Sequence, residues 1–182
     1  MKRVLTVAII VSAMVTNGFA QKFVTRTGQV SFFSSTPIEN IEAINNEMAG
    51  IVDAKTGEVA FIVPIKSFKF AKAMMQQHFN ESYMESDKYP KAEFAGKIAN
   101  MSSVNFSKDG DYEVSVAGKL SIHGVTREVT IPGSVSVKGK IISVNSKFKV
   151  RNEDYSIRIP SLVSNKIAEE IEVTVNSVLN KK

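Results

Sequence analysis

Cysteine and tryptophan are absent from this chain, and histidine occurs only twice in 182 residues. The missing cysteine excludes disulfides, thiolate nucleophiles and cysteine-based metal sites. It also excludes a lipid anchor on a cysteine after the N-terminal apolar run. His78 and His123 lie 45 positions apart, with no HxxxH, HxH or Glu-x-x-His pattern around either. The several converging ligands of a metal site are therefore not in view, and neither metal nor cofactor is expected. No G-x-S-x-G serine elbow occurs, since Gly133-Ser134 lacks the second glycine. No glycine-rich phosphate cradle occurs either. The lysines are scattered, with no cluster beyond Lys181-Lys182. That spacing lacks the basic footprint of a nucleic-acid binder.

What is present begins at the N-terminus. Lys2-Arg3 precede an almost wholly apolar run from Val4 to Val15, and Gly18-Phe19-Ala20 place small residues just before Gln21. This pattern reads as a secretory signal peptide over residues 1–20, cut after Ala20. The run is shorter than the roughly 20 apolar residues that a membrane span requires. The expected product is a single domain, residues 21–182, periplasmic or secreted, with no stable membrane insertion after cleavage. With Lys2 and Arg3 removed, 21 basic residues face 18 acidic ones, so the charge falls from +5 to +3. A chain of this size can bury a core without covalent staples.

The mature sequence reads as strands separated by turn signals. Strand patterns run from Lys22 to Ser34 and from Ile41 to Asp53, followed by a turn at Lys55-Thr56-Gly57. Val59, Phe61, Val63 and Ile65 mark one face of the next, where Pro64 predicts an edge, a bulge or the strand's end. Ala92, Phe94, Gly96 and Ile98 share a parity. Further runs cover Tyr112 to Ile122, Val125 to Val137, Ile142 to Val150, and Ile171 to Val175. About eight long alternating strands argue for antiparallel pairing. Strands near 12 residues, at about 3.3 Å each, predict a tube near 40 Å long.

One stretch breaks the alternation. "KFAKAMMQQHFNESYMES", from Lys69 to Ser86, has no glycine or proline. Spacings of three and four among its apolar residues predict a helix over Ala71–Tyr83. Tyr89-Pro90 then ends it. A lone helix cannot be a domain, so a plug or lid on a barrel end is expected. Ten phenylalanines are spread over most of the mature elements. Met74-Met75 suit a surface that adapts to variable apolar ligands.

The segments "HFNESYMES", "YPKAEFAGKI", "GKLSIHGVTREV" and "RNEDYSI" occur in that order. They resemble the elements of the YceI-like family, above all its G-x-L-x-I-H-G-V-T-[RK]-x-V core. One extra residue stands between Arg151 and Asp154. The lead into the helix and the segment Ile157 to Ala168 depart from the family pattern, so no head-group site is carried over. The resemblance covers nearly all of the mature chain. It implies an all-β, elongated, eight-stranded antiparallel lipocalin-like β-barrel with one inserted helix, binding polyisoprenoid or related long-chain lipids.

In that setting His123-Gly124 reads as a structural corner. Glycine supplies the tight turn, and the imidazole bonds a neighbouring backbone group. Arg127 sits in an apolar register, and burying it unpaired is prohibitive. It must pair, reach the mouth or face outward. His78, on the helix, is the better candidate to meet a polar head group. The candidate ligand contacts are Phe32, Phe61, Val63, Met74, Met75, His78, Phe79, Phe94, Val116, Leu120, Arg127 and Phe148. The leading expectation is non-enzymatic binding, transport or storage of a long-chain isoprenoid or acyl lipid in the bacterial envelope, and a homodimer is compatible with it. The alternatives are a lipid- or quinone-modifying enzyme and a ligand-free envelope interaction module.

Overall fold

The structure, a computed structural model, describes residues 21–182. The expected leader lies outside the described residues. The strands are β1 (Lys22–Ser35), β2 (Asn40–Asp53), β3 (Glu58–Pro64), β4 (Lys69–Phe70), β5 (Lys91–Ile98), β6 (Gly110–Ile122), β7 (Val125–Lys138), β8 (Ile141–Arg151) and β9 (Glu170–Lys181). All neighbours pair antiparallel in the order β1-β9-β8-β7-β6-β5-β3-β2, and β2 returns to β1. Eight strands thus close a barrel, while the two-residue β4 adds only to the edge of β2. The antiparallel pairing is what the alternation implied, and the closed eight-stranded barrel is what the resemblance implied.

The period of two decides which side chains enter the barrel. Along β3, Val59, Phe61 and Val63 point inward, whereas Ile62 is 42% exposed. Pro64 proves to be the strand's end. Its carbonyl accepts a 2.7 Å hydrogen bond from Asn45 Nδ2, and Asn45 Oδ1 accepts from the Glu47 backbone N–H at 2.8 Å. Asn45 is fully buried at 0% exposure, so these two bonds offset a desolvation cost that an unpaired amide would incur in full. Inside the barrel Gly96 faces Gly118. A Cβ on Gly118 would lie 2.4 Å from the Ala95 carbonyl oxygen and 2.5 Å from Gly96 Cα. Only glycine admits this approach of β6 to β5.

The helix forms with different bounds from those expected. Helix α1 covers Ala73–His78 and widens into a π-helical turn over Phe79–Tyr83. It begins later than Ala71 because Lys69 and Phe70 pair with Ile44 and Ala43 of β2. Tertiary pairing there overrides the local preference.

The barrel has two unlike ends. At the closed end lie the turn after β2, the turn at Gly139 and the segment from Ala99 to Asp109. That segment carries Phe106 under the barrel, 6.1 Å from Phe23 between ring centroids. Phe23, Val52, Val59, Ile98, Val114, Val135, Val137, Ile142 and Leu179 join Phe106 in one buried cluster. At the open end lie the β1–β2 turn, the His123-Gly124 corner and two long excursions, residues 65–90 and 152–169.

Candidate functional site

A cavity of about 560 Å³ runs from the open end down the barrel axis. Its size falls within the 300–1,000 Å³ of small-molecule pockets, roughly. The wall is made by the inward parity of every long strand. Val30 and Phe32 come from β1, Phe61 and Val63 from β3, Phe94 from β5, Val116 and Leu120 from β6, and Phe148 and Val150 from β8. Phe61 pairs with Phe94 and Phe94 with Leu120, so these three cross adjacent strands in one row. The Phe61 ring lies over Gly50, whose missing Cβ leaves it room: a methyl there would meet Cδ1 at 2.3 Å.

The first excursion roofs the cavity through aromatic packing. Phe79 stacks on Phe32 at 5.4 Å and meets Phe68 at 5.6 Å and Phe70 at 5.0 Å. Such aromatic pairs each contribute about 0.5–1.5 kcal/mol beyond their buried area. The roof therefore hinges on Phe79 rather than on buried helix surface, since α1 itself contains no buried residue. Met75 is partly buried and lines the cavity, whereas Met74 lines its mouth and is 68% exposed. His78 lines the same mouth and is exposed.

Of the twelve candidate contacts named from the sequence, the cavity wall brings together all but Arg127. Arg127 does share the inward parity, because it pairs with Leu120. From Val125 to Pro132, however, β7 does not pair with β8, and this seam gives the arginine a way out. Its Nε donates to the Asp154 carbonyl oxygen at 2.9 Å, and the side chain is exposed. Val125, Val129 and Phe148 pack around Leu120, Val150 and Tyr155 to fill the seam. Burial pushes the Tyr155 hydroxyl above its ordinary value, with Asp154 adding to the shift and Arg127 opposing it.

His123 serves as a clasp. Both His123 (φ +50) and Gly124 (φ +76) have positive φ, as a type I′ hairpin turn requires. The ring's Nδ1 lies 3.2 Å from the Tyr155 carbonyl oxygen, and its Nε2 lies 2.9 Å from Glu85 Oε2. Tyr89 packs edge-on at 4.6 Å. One corner residue thus ties the first excursion to the second, a structural role that keeps His123 out of the cavity lining.

The sequence reading missed the second excursion as a wall. Ile157, Ile159, Val163 and Ile167 all line the cavity, and Lys166 stands at its mouth. The period-two run Tyr155, Ile157, Ile159 was a readable signal, interrupted by Pro160. Phe68 and Phe70 were also missed as contacts, because β4 is too short to show alternation. Ser34, 2% exposed, holds this wall by accepting from the Ala168 backbone N–H at 2.9 Å. The polar groups toward the mouth are few: Lys72, paired with Glu39 at 3.2 Å, then His78, Tyr83, Glu93, Asn152 and Lys166. Among the described residues no three metal-ligating side chains gather, and no helix is long and apolar enough to cross a membrane.

The chain is similar to a polyisoprenoid-binding domain from Saccharophagus degradans implicated in plant cell wall breakdown, with a TM-score of 0.78 at 17% identity, covering 90% of this chain and 99% of that one. It is similar to Burkholderia cenocepacia BcnA, with a TM-score of 0.70 at 19% identity over 83% of this chain and 95% of that one. It is also similar to the Campylobacter jejuni YceI protein, with a TM-score of 0.59 at 14% identity over 76% and 83% of the two chains. At such identities the likeness is one of fold. No curated protein matches the chain. The family model of the YceI-like domain matches residues 10–179. With that span, the barrel and its corner, the chain belongs to the YceI-like family.

Proposed function

We propose that this protein binds one long apolar chain, a polyisoprenoid or a fatty-acid-like lipid, inside its barrel, and carries or stores it in the bacterial envelope without making or breaking bonds. The observation that carries this reading is the cavity: a deep space of about 560 Å³ walled almost entirely by apolar side chains. Burial supplies the affinity. Each enclosed CH₂ contributes about 0.8 kcal/mol, so roughly ten contribute about 8 kcal/mol before ordering costs, the scale of a micromolar complex. The likeness in fold to a protein described as a polyisoprenoid-binding domain supports the ligand class. The leader pattern at residues 1–20 supports export to the periplasm or beyond. His78 and Lys166, at the mouth, are the groups placed to meet a polar head.

Native mass spectrometry of protein purified from its own envelope, followed by lipid extraction, tests this reading. The expected result is a mass increment that extracts as one class of long-chain lipid. Protein that carries no lipid and takes none up from solution contradicts it and favours the interaction module.

A further inference from the structure

The His123 ring is held between two acceptors. Its Nδ1 lies 3.2 Å from the Tyr155 carbonyl oxygen, and its Nε2 lies 2.9 Å from Glu85 Oε2. A carbonyl oxygen and an ionised carboxylate have no proton to give, so both ring nitrogens must donate. A neutral imidazole has one N–H, and only the imidazolium has two. The His123 side chain is 9% exposed, so little water reaches the ring to replace a lost partner.

The backbone is costly on all three sides of this contact. Among the described residues, the non-glycine residues with positive φ are Glu85 (φ +44), His123 (φ +50) and Ser156 (φ +56). Each belongs to a different segment, and all three meet at the ring. Glu85 supplies the carboxylate, His123 the imidazole, and Ser156 follows the residue whose carbonyl accepts. Such conformations persist only where the surroundings over-determine them, and they collect at switches.

The other charged and titratable groups around the ring have partners elsewhere. On the first excursion Tyr89 packs edge-on, with Lys88 Nζ 4.9 Å from the Tyr89 ring centre, and Asp87 pairs with Lys66. On the second, Tyr155 is buried, Glu153 pairs with Arg151, and the Asp154 carbonyl accepts from Arg127 of β7. Carboxylates, phenols and ammonium groups ordinarily titrate outside the range from about pH 5 to 8, which leaves the imidazole as the group that changes charge within it.

We infer that His123 is a pH-operated latch on the cavity mouth: as imidazolium it holds residues 65–90 and 152–169 together, and on losing a proton it lets them part. Whichever N–H remains, one bond gives way to lone pair facing lone pair. A ring protonated at Nδ1 keeps the Tyr155 carbonyl and repels Glu85, and a ring protonated at Nε2 does the reverse. The latch is therefore complete on the acid side of the imidazole titration and is lost as pH rises through it. Both segments wall the cavity, through Phe79 and Met84 on one and Ile157 and Ile159 on the other, so their parting widens the mouth. That consequence for a bound chain rests on the lipid-binding reading, but the latch itself does not.

The test uses residues 21–182, which contain the whole closed barrel. Hydrogen exchange, corrected for intrinsic rates, is measured at about pH 5.5 and about pH 8.5, on either side of the imidazole range. The reporters are the amides of Tyr89 and Ile157, which donate to the Glu85 and Asn152 carbonyl oxygens. In the native protein their protection should fall about tenfold at the higher pH, the scale of one charge-assisted hydrogen bond. Two variants should then move in opposite directions. Glu85→Gln offers an amide N–H to the neutral ring, so protection should stay high at both pH values. His123→Asn tolerates the positive φ but is too short to reach both partners, so protection should be low at both. Release of a pyrene-labelled fatty alcohol, which has no ionisable group, should follow the same pattern. Native protection that does not change with pH overturns the latch, and so does a Glu85→Gln protein that keeps the native pH dependence. Native protein that shows the change in protection yet takes up no alcohol leaves the latch standing and contradicts the proposed function instead.

Discussion

At the closed end Phe23, Ile142 and Leu179 are 1%, 0% and 0% exposed, whereas at the open end α1 contains no buried residue at all. The same strands pass through both ends, so the difference lies in what joins them. Short turns and the Phe106 plug let side chains of the closed end meet one another directly. The open end spends residues 65–90 and 152–169 on excursions that meet around the cavity. They are held by the rings of Phe32, Phe68, Phe70 and Phe79, the His123 clasp and the Ser34–Ala168 hydrogen bond. The closed end packs side chain on side chain, whereas the open end, with Ile65, Phe68, Met84 and Tyr155 buried in its excursions, leaves a cavity between them where a ligand can enter and leave.

Truncation at the closed end should break the fold before it touches binding. Leu179→Ala, at a site with 0% exposure, should cost about 2–5 kcal/mol. Chemical denaturation should show this as a lower midpoint, with lipid uptake by the remaining folded protein unchanged. A variant of native stability would mean that the closed end is not the packed base described.

The clasp should respond less strongly. A Cβ on Gly124 would lie 2.5 Å from Tyr89 Cε1, and its φ of +76 disfavours a β-branched residue. Gly124→Val should therefore cost about 1–3 kcal/mol and loosen both excursions together. Proteolytic cleavage within residues 65–90 and 152–169, faster than in the native chain, would register that coupling. Cleavage in only one of them would contradict the clasp.

The methionines sharpen the contrast within the open end itself. Met75→Trp should fill the mouth and block uptake while the β-sheet signal in circular dichroism stays intact. Met74→Trp should leave uptake nearly unchanged, because that side chain is largely in solvent. His78→Ala should weaken ligands with a polar head about five- to twentyfold, the scale of one lost hydrogen bond, and plain hydrocarbons less.

Smallest of all is a pH effect at the seam. Burial raises the Tyr155 hydroxyl above the ordinary phenol value of about 10. A raised acid contributes stability that is complete below the unfolded value and is lost as pH rises through the folded one. Tyr155→Phe should therefore leave stability near neutral pH almost unchanged and flatten its decline above about pH 10. An identical alkaline decline in both proteins would remove Tyr155 from the balance.

Much of the closed barrel was legible in the sequence because its rule is local. Alternation in β6 and β7 fixes the inward face, and the two positive-φ residues at His123-Gly124 fix the hairpin between them. The open end obeys rules that act at a distance. Phe70 leaves the helix because Ala43, far away in the chain, offers a strand partner. Arg127 keeps an apolar register yet leaves the interior, because β8 has turned away from β7. Ile157 and Ile159 become cavity wall because distant partners fold that excursion back: Asn152 donates to the Ala168 carbonyl oxygen at 2.9 Å, and Ser34 accepts from the Ala168 backbone N–H at 2.9 Å. None of these follows from spacing alone.

The absence of tryptophan makes the central claim directly measurable. Phe61→Trp places a single fluorescent reporter in the cavity wall, and Phe106→Trp places one in the closed-end plug. Each variant is titrated with long-chain lipids brominated at mid-chain, one acyl and one prenyl. A chain bound in the barrel should quench the wall reporter to saturation at one lipid per protein and leave the plug reporter bright. Equal quenching of both reporters, or quenching of neither by either lipid, would contradict an open cavity above a packed base.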